Sequence, residues 1–129
     1  MTSFLYLLHF DQRLHHAGHY LGSSEHLIAR LARHDDGTGA RLTQVLVEKG
    51  ITWHVSGLWV PHQACPLHIR EIERISKRRH NGASYCPECS SRSVTPYWTL
   101  SYPVQYFYEL LAKLNKGGRN VREILCEEL

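Results

Sequence analysis

Ser3 to Phe10 is an apolar run of strand length, rich in aromatic and aliphatic side chains. The polar stretch DQRLHHAG follows, and HHAGHYLG leads into a second short strand ending at Gly22. The two runs predict an antiparallel hairpin with a rather long loop. SSEHLIARLARHDDG then takes helical spacing, with Ser23 or Ser24 as N-cap, Leu27, Ile28 and Leu31 on one face, and the DDGTG cluster as its end. A shorter helix is expected over ARLTQVLVEKG, where Leu42, Val45 and Leu46 share a face and Gly50 closes the segment. Ile51, Trp53 and Val55 alternate with Thr52, His54 and Ser56, the period of a half-buried strand, which Pro61 stops. LHIREIERISKRRHNG predicts a third helix, with Ile69, Ile72 and Ile75 three apart and basic residues gathered at its C-terminal end.

The order β, β, α, α, β, α implies an α/β fold, a small antiparallel-type sheet flanked by helices. From Cys86 the pattern changes. CPECSSRSVTPYW is rich in turn formers, PVQYFYELLAKLNKGG is an amphipathic helix opened by Pro103, and RNVREILCEEL reads as one more. The chain therefore divides into residues 1–82, holding the α/β unit, and 83–129, a knuckle with a short helical C-terminal extension.

Composition adds limits more than direction. The 129 residues suit one domain with a moderate core, and 43% hydrophobic with 21% charged residues is an ordinary globular balance. Fifteen Lys and Arg against twelve Asp and Glu give a net charge of +3, which permits a nucleic-acid partner without demanding one. Asp11 and Arg13 interrupt the N-terminal apolar run, so a secretory signal is not expected. No stretch reaches the roughly 18 apolar residues of a membrane span, and a cytoplasmic location is the expectation. Ten histidines are many for this length, and some should sit where a protonatable or metal-binding imidazole can act.

Phosphodiester hydrolysis needs an activated water, a cation over the phosphate oxygens and help for the departing oxygen. Tyr6 and Tyr20 on neighbouring strands and Arg30 on the next helix are candidates for the water-orienting phenols and the cation. Phe4-Leu5-Tyr6, Tyr20-Leu21-Gly22 and the arginine eight residues on resemble the signature of the GIY-YIG nuclease superfamily. Arg30-Leu31-x-x-His34 is similar to an ending found in that family, and the likeness runs from about Ser3 to Asn81. The first tripeptide keeps only its tyrosine, the second carries Leu21 for isoleucine, and the late asparagine has no clear counterpart.

The resemblance implies a metal-dependent DNA endonuclease whose domain covers residues 1–82. Arg30 would stabilise the phosphate, Tyr6 and Tyr20 would orient or deprotonate water, and His34 would serve as a second base or phosphate contact, or simply suit a helix C-terminus. Glu73 would hold Mg²⁺ or Mn²⁺, with Glu71 as the alternative. Gly22 would let the backbone turn and approach the DNA, and Lys77, Arg78 and Arg79 would contact backbone phosphates.

Of the four cysteines, Cys86 and Cys89 form CPEC, a spacing that favours a metal knuckle or a redox pair over a structural disulfide. Cys65 and His68 share the two-residue gap and would complete a structural Zn²⁺ site, with His80 as another possible ligand. Cys126 is expected to be an ordinary thiol, and His15, His16 and His19 to be surface residues flanking the hairpin. Lys113, Lys116, Arg119 and Arg122 would help hold a duplex or mediate self-association; oligomeric state is not encoded. Two rivals share these residues: a nuclease-like nucleic-acid-binding module without catalysis, and an adaptor whose working part is the zinc knuckle.

Overall fold

The computed structural model describes residues 3–61, 65, 67–96 and 100–101. The helices expected from Pro103 onward, with Lys113, Lys116, Arg119, Arg122 and Cys126, lie outside the described residues. The chain runs β1 (Phe4–Leu14), β2 (Ala17–Ser24), α1 (Leu27–Asp36), α2 (Arg41–Glu48), β3 (Trp53–Pro61), α3 (Ile69–Arg79), α4 (Gly82–Tyr85) and β4 (Leu100–Ser101). Strand order is β2-β1-β3-β4 with antiparallel pairing throughout. The two-residue β4 adds little to what is in substance a three-stranded sheet between two helical layers.

β1 is the central strand, which explains its unbroken apolar run. Phe4, Tyr6, Leu8 and Phe10 belong to one core with Leu27 and Leu31 of α1 and Leu46 of α2. Leu5 and Leu7 belong to another with Trp59, Ile69 and Ile72 of α3, Tyr85 and Cys86. A strand buried on both faces loses the polar alternation that a half-exposed strand keeps. The helix α3 is fixed from within: Ser76 Oγ donates to the Ile72 carbonyl at 2.7 Å, and the Tyr85 hydroxyl donates to the Ser76 carbonyl at 2.7 Å. Among the described residues, no helix is long and apolar enough to cross a membrane.

Three local expectations are corrected. The hairpin has no long loop: β1 continues through the polar residues to Leu14, and His15 and His16 alone make the turn. His15 takes a φ of 56°, the positive value that tight hairpin turns require, and the ladder shifts register between His9 and Leu14. Neither Ser23 nor Ser24 is the N-cap of α1, because both are paired in β2 with Leu5 and Phe4; His26 takes that position instead. Gly22 is not a turn residue either. It sits inside β2 opposite Tyr6, and a Cβ there would come within 2.5 Å of the Tyr6 ring and hydroxyl and 2.8 Å of the Tyr20 ring. Its missing side chain makes room for two phenols, and since it is buried it offers no surface to DNA.

Candidate functional site

β2 is an edge strand, and a cleft of about 670 Å³ wraps around that edge between α1 and α3. Its walls include Tyr20 and Ser23 from β2, Arg30 from α1, and Arg70 and Glu73 from α3. Arg30, Tyr20 and Glu73, drawn from three separate elements, thus share one open polar site. Glu73 rather than Glu71 lines it: Glu71 is exposed outside the cleft, whereas Glu73 is held by two neighbours. Ser23 Oγ donates to Glu73 Oε1 at 2.6 Å, and the Lys77 ammonium lies 2.9 Å from Oε2. The same ammonium sits 5.4 Å from the centre of the Tyr20 ring, so Lys77 forms a rim joining carboxylate and phenol. Arg78 and Arg79 are exposed in the last turn of α3, where the helix dipole favours cations, and they line none of this cleft.

Tyr6 and His34 occupy different places from those the resemblance implied. Both are fully buried, and the Tyr6 hydroxyl lies 2.7 Å from His34 Nε2. His34 Nδ1 lies 2.8 Å from Thr43 Oγ1, which in turn donates to the Ala40 carbonyl at 2.9 Å. That carbonyl only accepts, so the polarity of the whole chain follows. Thr43 gives its proton to Ala40 and accepts from His34 Nδ1–H; Nε2 is then the acceptor for the Tyr6 hydroxyl. Tyr6 keeps oxygen lone pairs, and both phenols act electrostatically on the nearby Arg30 guanidinium. Burial alone would weaken the charge on Arg30, but the two tyrosines outweigh it and hold the guanidinium more firmly protonated.

Burial keeps both residues from the water and phosphate contacts that the resemblance implies. Burial above all, then the neighbouring Tyr20, pushes the Tyr6 phenol well above its ordinary range, with Arg30 only partly opposing. Tyr6 is therefore sealed from water, and His34, which holds the Tyr6 hydroxyl, is sealed from phosphate. Thr43, which closes this chain, and Ser23, which orients Glu73, carry no sequence signal that distinguishes them from other small polar residues.

The neutral His34 has a measurable signature. Burial, then the charges of Arg30 and Arg33, lower its pKa to about 4 from an ordinary 6.5. Between those values the unfolded chain takes up a proton that the folded chain refuses, so stability is full above pH 6.5 and falls as the pH drops toward 4. The expected loss attributable to this residue is about 3 kcal/mol. Denaturant unfolding of the protein and of His34→Gln across that range checks it: the variant should lack this component of the slope.

A second cluster lies on the face of the sheet that α3 covers, opposite Tyr6 and His34. His9 of β1 and His19 of β2 are directly paired across the ladder, and Cys86 and Cys89 come down on them from the turn after α4. One ligand atom from each of the four lies within 4.8 Å of all the others, so this group could hold a metal ion. Burial and then the adjacent His9 hold His19 below its ordinary pKa, which keeps an imidazole lone pair available. His19 is accordingly not a plain surface residue. Cys65 and His68 are not partners of the cysteine pair. His68 is the N-cap of α3, accepting from the Arg70 backbone N–H at 3.2 Å, and Cys65 packs against the second core. The 11 residues of α3 span roughly 16 Å between that end and the one leading to Cys86. His80, beyond the other end, instead meets the Tyr85 ring edge-on.

Compared with known proteins, the chain matches no protein-family model, no curated protein and no solved structure.

Proposed function

We propose that the protein is a metal-dependent DNA endonuclease of the GIY-YIG type, working in the cleft at the β2 edge. The observation that carries this reading is the meeting of Arg30, Tyr20 and Glu73 around one open, polar cleft. A guanidinium grips two phosphate oxygens at once, and Arg30 stands half-buried in the lining of the cleft. Tyr20 is half-buried with its ring on the cleft wall, placed to orient a water toward phosphorus. Attack forms a new P–O bond and breaks the one to the departing oxygen.

Glu73 fits a hard divalent cation. It offers carboxylate oxygens on the wall of a hydrated cleft, and the oxygens of Ser23 and Glu25 line the same wall. Bound there, Mg²⁺ or Mn²⁺ would supply positive charge to offset that developing on the phosphate and leaving oxygens. Lys77, paired with Glu73 at 2.9 Å, would be available to a backbone phosphate if Glu73 held such an ion.

This division of labour separates the two tyrosines. Tyr20→Phe should lower cleavage of DNA by about a hundredfold with binding retained. Tyr6→Phe should chiefly cost stability, about 1–3 kcal/mol, because His34 Nε2 loses its only described donor inside the core. Single-turnover cleavage and urea unfolding of both variants test the split; equal cleavage by Tyr20→Phe and wild type contradicts it. A second reading, a module that binds nucleic acid without cutting it, is favoured by the seclusion of Tyr6 and the Lys77–Glu73 pair. Tight binding with no cleavage in either Mg²⁺ or Mn²⁺ would select it.

A further inference from the structure

The four donors beneath the turn after α4 have the shape of a specific coordination site. In tetrahedral zinc, with Zn–S near 2.3 Å and Zn–N near 2.0–2.1 Å, the donor separations are about 3.3 Å for N···N and about 3.5 Å for S···N. Here His9 Nδ1 and His19 Nε2 are 3.2 Å apart. Cys86 Sγ and Cys89 Sγ each lie 3.6 Å from His9 Nδ1, and Cys89 Sγ lies 3.4 Å from His19 Nε2. Four edges of that tetrahedron are therefore already in place. The donors are two thiols and two imidazoles, a set suited to zinc and unsuited to Mg²⁺ or Ca²⁺.

Groups around the four donors complete the pattern expected of a built site. Ser56 Oγ, from β3, is 3.4 Å from Cys86 Sγ, placed to donate to a thiolate. Glu88, between the two cysteines, meets His54 Nε2 at 2.6 Å, and His54 Nδ1 is 3.3 Å from Asp11 Oδ1. The knuckle is thereby anchored to β3 independently of any ion. Gly82 opens α4 close against the hairpin: a Cβ there would come within 2.5 Å of His19 Cβ, so only glycine lets α4 bring the cysteines this near.

We infer that His9, His19, Cys86 and Cys89 bind one zinc ion as a structural clasp joining the β1–β2 hairpin to the segment after α3. The clasp grips β2 at His19, next to Tyr20 on the opposite face, and closes the chain leaving the helix that carries Glu73. It is separate from the cleft, so it stands whether or not the cleft cuts DNA.

Elemental analysis and native mass spectrometry of the reduced full chain should find one zinc per molecule. Co²⁺ added to the stripped protein should give the intense d–d absorption of a tetrahedral site together with thiolate charge-transfer bands. Cys89→Ser and His19→Gln should each weaken zinc affinity by at least about a hundredfold. Cys65→Ser, His68→Gln and Arg30→Ala should leave zinc content at one. Absence of metal from the reduced protein, a Co²⁺ spectrum without thiolate bands, or loss of zinc in Cys65→Ser but not in His19→Gln overturns the assignment. Should a ligand variant fail to fold, the Co²⁺ spectrum of the wild-type chain decides by itself. A wild type that holds zinc and cuts no DNA refutes the nuclease reading while leaving the clasp intact.

Discussion

Arg30→Ala should reduce DNA cleavage about a thousandfold while the protein stays folded, because in the proposed nuclease it removes the cation that would face the phosphate in the transition state. The side chain is half-buried at the cleft, and its neighbours Tyr6 and His34 keep their own hydrogen bond without it. Arg30→Lys should not restore the rate, since an ammonium lacks the planar fork that holds two oxygens at once. A second readout is independent of DNA. Arg30 is the leading charge that depresses the His34 pKa after burial. In Arg30→Ala, the His34 imidazole should therefore titrate at higher pH, as followed by its ring proton shifts. Full cleavage by Arg30→Ala would remove the arginine from the mechanism.

Glu73→Gln is expected to have the next largest effect, a fall of about a hundredfold or more in turnover at saturating DNA and Mg²⁺. Glutamine keeps an oxygen for the Ser23 hydroxyl, so the α3–β2 contact survives, while the anionic donor for the cation disappears. Lys77 is released from its 2.9 Å pairing at the same step. DNA binding without metal should then stay level or tighten, because a negative charge facing phosphate has been removed. Reduced turnover with retained binding is the signature of a metal-holding carboxylate; a parallel loss of both would point to a structural role for Glu73.

The main elements of the fold were legible in the sequence because each had a clean period or a clear terminator. β1 declared itself by an unbroken apolar run, and that run reflects its central place between two cores. α3 declared itself through Ile69, Ile72 and the basic final turn. Of the four groups expected to meet, Arg30, Tyr20 and Glu73 line one cleft, since the order of elements brings α1 and α3 to the same edge of β2, whereas Tyr6 is sealed in the core.

What escaped the sequence depended on three-dimensional detail. The His9–His19 pairing rests on the register shift between His9 and Leu14. Carried unchanged from the Leu14–Ala17 pair, the ladder would have set His9 opposite Gly22 and His19 opposite Gln12, and no site would form. Cys65 and His68 suggested themselves by nearness in sequence, yet a helix stands between them and the cysteine pair. The burial of Tyr6 follows from the absence of a side chain at Gly22, a cross-strand relation that no local pattern carries. Ser23 looked like a helix cap because strand and cap chemistry both accept serine; the ladder with Leu5 decided between them.

The most direct test is cleavage of a panel of intact, nicked, flapped and branched DNA duplexes by the 129-residue chain, supplied with zinc, with and without Mg²⁺. The wild type should hydrolyse at least one of these substrates only when Mg²⁺ is present, and Arg30→Ala and Glu73→Gln should be nearly inert on it. If the folded wild type leaves every substrate intact, or if both variants cut as fast as it does, the cleft at the β2 edge is not a nuclease site.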